Sequence, residues 1–368
     1  MKKRHFYWLD WLRFIAALMV VVCHARGYNW VDWGTLDARD HTKAIQLFFA
    51  ATRMGLEWVN VFFVLSGFLV GGKIIQQSLE KTFDPLSYAI DRVTRIWLPL
   101  IPALVLTALI EYFIGFPISW REMLGNVAAL QGVTCDVFAH NAPLWSLSYE
   151  VWFYVLGGCV AMIVARSGKG LWPFMGIAIS FAVFTRLSPV FLSCWLLGAF
   201  SYFLVGRQKA RGLGFLGLVL TLIGAVSSQF QADSVSVVKG ALWFWDWLPS
   251  RDMASLILSG GIALITADIC RREPHSRFII GVESLGTRLA AFSYTLYLTH
   301  YPLLDLWEHF IPERSPRFDA ASFLIFSAKV LSCLGVGWLM YLPFEARTAA
   351  VKSWLRRRTM PSPVKVEG

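Results

Sequence analysis

The sequence predicts an all-α polytopic membrane protein of about ten transmembrane helices with both termini on the cytoplasmic side. Three observations carry that prediction. Apolar residues make up 56% of the 368-residue chain and charged residues only 16%, and the mean hydropathy of +0.54 lies outside the range of ordinary soluble domains. Apolar windows long enough to cross a bilayer recur along the whole chain. Lys and Arg are dense in every second connecting segment, which orients the chain.

The windows fall at 8–26, 46–72, 96–115, 145–165, 171–186, 190–206, 212–228, 253–270, 289–307 and 321–344. The pair at 171–186 and 190–206 is short and separated only by Leu187-Ser188-Pro189, and reads as a helical hairpin. An even number of spans returns the C-terminus to the side of the N-terminus. With the N-terminus inside, the inner segments carry Lys2, Lys3, Arg4, Lys73, Lys81, Arg92, Arg95, Arg166, Lys169, Arg207, Lys209, Arg211, Arg271, Arg272, Arg277, Arg288 and the tail from Arg347. The outer loops carry far fewer, chiefly Arg26, Arg39, Lys43, Arg121, Arg186, Lys239, Arg251, Arg314 and Arg317. The net charge of +10 therefore records topology, and no nucleic-acid partner is needed to explain it. Residues 1–345 form the membrane domain and 346–368 a short basic cytoplasmic tail ending in a disordered Pro361-Ser362-Pro363.

Cysteine contributes little. The six residues show no C-x-x-C spacing, so neither a disulfide framework nor a metal site is indicated. The basic start resembles a signal peptide, but Asp10 and Arg13 interrupt the apolar run and no clear cleavage site follows, so it reads as an uncleaved first span. Trp30, Trp33, Trp243, Trp245 and Trp247 suit an interfacial belt better than sugar-stacking platforms.

Polar residues inside the spans are the functional signal, because a charge in a lipid-spanning helix costs roughly 2.5 kcal/mol or more on insertion scales. Arg13 and His24 share the first span. Eleven positions apart, they fall on nearly one helix face with a rise of about 16 Å. Helix 1 runs outward, placing Arg13 toward the cytoplasm and His24 toward the outside. Helix 4 enters from outside at Trp145, so Glu150 is expected at the level of His24, with Tyr297 and His300 of helix 9 in the middle and outer half. Arg92 and Arg95, at i,i+3 on a short amphipathic segment before helix 3, join Arg13 at an inner mouth.

These residues stand in recognisable stretches: Asp10-x-x-Arg13 with His24, Phe62-Phe63-Val64-Leu65-Ser66-Gly67-Phe68, Arg92-x-x-Arg95-Ile96-x-x-Pro99, Trp145-Ser146-Leu147-Ser148-Tyr149-Glu150-x-x-Phe153-Tyr154, and Ser293-Tyr294-x-Leu296-Tyr297-Leu298-x-His300-x-Pro302-Leu303. Together, in this order, they resemble the acyltransferase-3 family of integral-membrane O-acyltransferases, which acetylate bacterial surface polysaccharides, lipopolysaccharide and related acceptors. Two departures stand out. Asn60 occupies a position near the Phe-Phe pair that is often acidic in such proteins, so it receives no acid/base role, and no fused soluble hydrolase domain follows Pro343-Phe344-Glu345.

The resemblance implies acyl-coenzyme A, acetyl-CoA first among them, as donor substrate with no tightly bound cofactor and no metal. It also implies a glycan or glycolipid acceptor at the outer side of the bacterial cytoplasmic membrane. On that reading His24 is the base and Glu150 orients its imidazole, and both direct transfer and an acyl-histidine remain open. Arg13, Arg92 and Arg95 hold the phosphates of the donor. Asp10, Ser66, Trp145, Ser148, Tyr149, Tyr154, Tyr297 and His300 support the site or line the acceptor path. Simpler roles exist for several: snorkelling for Arg13, topology alone for Arg92 and Arg95, close helix approach for Ser66-Gly67, and helix-to-helix hydrogen bonding for the Ser and Tyr residues. Lys329, mid-way along helix 10, calls for a buried partner. The competing class is a transporter or flippase with a buried Arg/Glu/His relay, against which stands the lack of internal symmetry between two halves.

Overall fold

The computed structural model describes residues 7–168, 170–205, 212–230, 249–271 and 277–359, and among them every regular element is helical. Helices occur at all ten expected spans: α1 (Tyr7–Gly27), α3 (Gly55–Ser66) running through a π-helical turn at Gly67–Gly71 into α4 (Gly72–Leu79), α5 (Pro85–Ile114), α7 (Trp145–Ala165), α8 (Trp172–Phe184), α9 (Pro189–Ser201), α10 (Leu213–Phe230), α11 (Arg251–Arg271), α13 (Ser293–Phe310) and α14 (Ala320–Tyr341). Shorter helices join them: α2 (Lys43–Thr52), α6 (Trp120–Val127), α12 (Arg277–Ala290) and α15 (Thr348–Thr359). Seven of the helical segments are long and apolar enough to cross a membrane. With 18 residues α13 equals α10 in length, but Thr295, Thr299, His300 and Asp305 keep it too polar to join them. That polarity is the mark of a helix facing a site.

Three expectations are corrected. The second span does not start at 46: Arg53 and Met54 break the helix, leaving α2 as a separate piece whose Phe48 and Phe49 pack on Trp30. Arg92 and Arg95 do not sit on a separate segment before helix 3. They belong to α5 itself, a 30-residue helix started by the Asp84 cap and Pro85 and ended by Gly115 in the left-handed conformation (φ 90°). At about 45 Å it outruns a hydrocarbon core of roughly 30 Å, so its first turns project beyond the bilayer. Finally, α8 and α9 are not a packed hairpin: α8 lies on α7, whereas α9 lies on α3, the π turn and α11.

Two glycines permit that last contact. A Cβ on Gly67 would lie 1.9 Å from the Trp195 carbonyl oxygen, and one on Gly198 would lie 2.0 Å from that of Val64. Small residues facing each other in this way let two membrane helices touch along their backbones. The buried Lys329 has its partner too, donating to the Tyr28 carbonyl just past the end of α1 at 2.8 Å. Residues 346–368, expected as a loose tail, include α15, which packs on α5. Trp243, Trp245, Trp247 and the segment 361–363 lie outside the described residues.

Replacing Gly198 by Val forces these backbones apart, and overpacking of this kind costs about 1–3 kcal/mol or more. The G198V protein is expected to lose monodispersity and thermal stability in detergent, measured by size-exclusion chromatography and thermal unfolding, whereas Gly335→Ala, with open space around its Cβ, should leave both unchanged.

Candidate active site

The decisive contact joins α1 to α13. His24 Nδ1 lies 2.9 Å from His300 Nε2, with the two rings nearly parallel at a 5.2 Å centroid separation. His300 Nδ1 in turn faces the carbonyl oxygens of Tyr297 at 2.8 Å and Leu296 at 3.2 Å. Carbonyls only accept, so His300 Nδ1 carries a hydrogen, and in a neutral ring its Nε2 is then an acceptor. The hydrogen between the rings must therefore come from His24 Nδ1. That leaves His24 Nε2 as a bare lone pair, and His24 lines an outer chamber of about 410 Å³ together with Arg53, Glu57, Trp145, Gln229, Arg251 and Tyr297. Tautomer control by a hydrogen bond to the far ring nitrogen is how a histidine is prepared as a base.

Toward the cytoplasm lies a second cavity of about 110 Å³, walled by Arg13, Ser66, Arg92, Arg95, Glu150, Tyr154 and Tyr294. Its arginines differ. Arg95 donates to Glu345 at 2.5 Å and sits over the Tyr294 ring, so it is neutralised by the protein. Among the described residues Arg92 meets the aromatic faces of Tyr88 and Tyr154, and its Nε is buried without an acceptor. No hydrogen bond or ion pair joins Arg13 to a described residue. Three guanidiniums face two carboxylates here, Glu150 and the Glu345 bound to Arg95, and the surplus positive charge makes the cavity receptive to an anion.

The two spaces meet at Val59 and Tyr297, which line both. Tyr297 is fixed there by donating to the Pro143 carbonyl at 3.0 Å and contacting the Ser146 hydroxyl at 2.8 Å. The helix 55–79 passes along every part of the route, from Gly55 and Glu57 at the outer chamber to Leu69 and Val70 at the inner cavity. Its π turn falls where it runs along the inner cavity, and π turns in helices frequently mark functional sites.

Glu150 is not placed with His24. Its carboxylate accepts from Tyr154 at 2.6 Å, and Tyr154 in turn contacts Ser66 at 2.9 Å, which receives the Trp195 indole N–H at 3.2 Å. His300, and not Glu150, is the group hydrogen-bonded to the His24 imidazole, and Glu150 lines the cavity of the arginines. Ser148 and Tyr149 line neither space: Ser148 donates to the Trp145 carbonyl, and the Tyr149 hydroxyl accepts the Ser188 N–H that opens α9. Asp10 accepts from Thr287 and ties α1 to α12. Glu345 was missed as a site residue. It clamps Arg95 and at the same time accepts from the Thr295 N–H and hydroxyl, capping the first turn of α13.

The chain matches the acyltransferase domain of the acyltransferase-3 family over residues 6–342. It belongs to that family. No curated protein and no solved structure matches it. Membership supports a multi-pass membrane acyltransferase. The bare His24 nitrogen, held by its hydrogen bond to His300, is the group in the outer chamber placed to accept a proton.

Replacing His300 by Ala would release His24 to carry its hydrogen on either nitrogen. The acyltransferase is expected to lose turnover by about 10²-fold or more with little change in donor KM, in steady-state assays.

Proposed function

We propose that this acyltransferase moves an acyl group, acetyl in the first instance, from cytoplasmic acyl-CoA to a hydroxyl of a glycan or glycolipid at the outer face of the bacterial cytoplasmic membrane. The observation that carries the reading is the polarity of one helix. On α1, Arg13 opens to the cavity of unpaired guanidiniums, and His24 presents its lone pair to the larger polar chamber about 16 Å away.

The phosphates of the donor lie on the cytoplasmic side with Arg13 and Arg92, and its narrow pantetheine arm follows the helix 55–79 to bring the thioester to the Val59–Tyr297 boundary. The acceptor hydroxyl enters the outer chamber, where Glu57, Gln229 and Trp145 offer hydrogen bonds and a ring face to a sugar. His24 Nε2 takes the hydroxyl proton as the oxygen attacks the thioester carbonyl. A C–O bond forms, the C–S bond breaks, and the proton held on His24 passes to the departing thiolate. The charged imidazole formed in between is shared with His300 through the hydrogen bond they already make. Acyl and proton counts balance without any further reactant.

The test uses purified protein, radiolabelled acetyl-CoA and a soluble glycan. Arg13→Ala should raise donor KM by roughly tenfold while leaving turnover at saturation near wild type. His24→Ala should abolish transfer at every donor concentration. Full transfer by a folded H24A protein would remove His24 from the chemistry.

A further inference from the structure

A polar recess on the cytoplasmic side is not used by this reaction scheme. It lies between α4, α5 and α15, holds about 120 Å³, and is lined in part by Lys73, Asp84, Ser87, Asp91, Arg92 and Arg356. Leu69, Val70 and Arg92 line both this recess and the cavity of unpaired arginines, so the two adjoin at the Arg92 guanidinium. From α15, Arg356 lines it. Arg356 donates to Ser87 and, at 3.0 Å, to Asp91, and Lys352 pairs with the same Asp91 oxygen at 2.6 Å.

The charges do not cancel. Lys73, Arg92 and Arg356 line the recess with two carboxylates, Asp84 and Asp91, leaving one surplus positive charge, and Lys352, paired with Asp91 from beside it, adds a second. Asp84 is already engaged by the Leu86 N–H at the start of α5, and Asp91 by the two cations of α15. Meanwhile the Nε atoms of Arg92 and Arg356 are both buried without an acceptor, and no hydrogen bond or ion pair joins Lys73 to a described residue. Unused donors together with two surplus charges match a dianion with several acceptor oxygens, which is a phosphate monoester.

We infer that this recess is a phosphate-monoester site that takes the 3′-phosphate of the donor's nucleotide, with Lys73 and Arg356 as its ligands and α15 as its outer wall. The assignment rests on the proposed acyl-CoA donor. The spacing agrees: Lys73 is fourteen positions from Val59 on one continuous helix, about 21 Å, within the reach of the donor from its 3′-phosphate through its diphosphate and pantetheine arm to the thioester. Arg92, shared by both spaces, is left for the diphosphate between.

The experiment compares acetyl-CoA with 3′-dephospho-acetyl-CoA in the full-length wild type and in Arg356→Gln and Lys73→Gln. The wild type should prefer the phosphorylated donor by roughly tenfold or more in kcat/KM, and both variants should lose most of that preference while using the dephosphorylated donor as well as the wild type does. Lys73→Gln touches no folded contact, so it keeps the test valid if loss of Arg356 loosens α15. Equal use of the two donors by the wild type, or an undiminished preference in both variants, would overturn the assignment. Calorimetric binding of adenosine 3′,5′-bisphosphate against 5′-AMP separates this from the donor reading. Tighter binding of the bisphosphate that R356Q and K73Q abolish supports the phosphate site even in a protein that transfers nothing from CoA, and equal binding of the two nucleotides contradicts it.

Discussion

Two carbonyl groups on α13 set the chemistry of the whole site. Because the oxygens of Leu296 and Tyr297 only accept, the ring of His300 is fixed as a donor toward them and an acceptor toward α1. His24 is then fixed as a donor toward His300, and its remaining nitrogen is bare. No carboxylate takes part. A neutral pair of this kind avoids the cost of holding an unpaired negative charge within the membrane, which a Ser-His-Asp arrangement would carry at this position. In the proposed reaction it also gives the imidazolium a partner already in hydrogen-bond contact.

The surrounding structure holds that pair in register. Glu345 caps α13 through Thr295 and pairs with Arg95 of α5, so the helix that carries His300 is tied to the inner arginine cavity. At the other end, Lys329 holds the Tyr28 carbonyl and so fixes the end of α1 against α14. Between them the helix 55–79 provides one wall from the outer chamber to the cytoplasmic recess, about 33 Å for its 22 steps from Gly55 to Gln77, close to the thickness of a bilayer core. Gly67 and Gly198 let α9 press against this helix and keep it rigid where it widens into the π turn.

The sequence made the spans legible because apolar length and the alternation of Lys and Arg are local signals. It also made the Arg13–His24 relation legible, since eleven residues on an uninterrupted helix return to one face. What it concealed required knowledge of neighbours. His24 and His300 are 276 positions apart, and a neutral histidine pair has no charge signature. The rise along α7 put Glu150 at the level of His24, whereas it lines the inner cavity with Tyr154 and the arginines. Glu345 looked like an ordinary acid beyond the last span, and α15 like a solvated basic tail. Only the folded structure shows Glu345 bound to Arg95 and Thr295, and α15 packed on α5.

In the proposed reaction donor and acceptor reach the transferred acyl group from opposite sides of the membrane. Uniformly oriented proteoliposomes with acetyl-CoA confined to the cytoplasmic face and a membrane-impermeant glycan confined to the outer face test this. Acetylated glycan is expected in this arrangement and none when both substrates are supplied to the outer face alone. Transfer only when donor and acceptor share a compartment would contradict it.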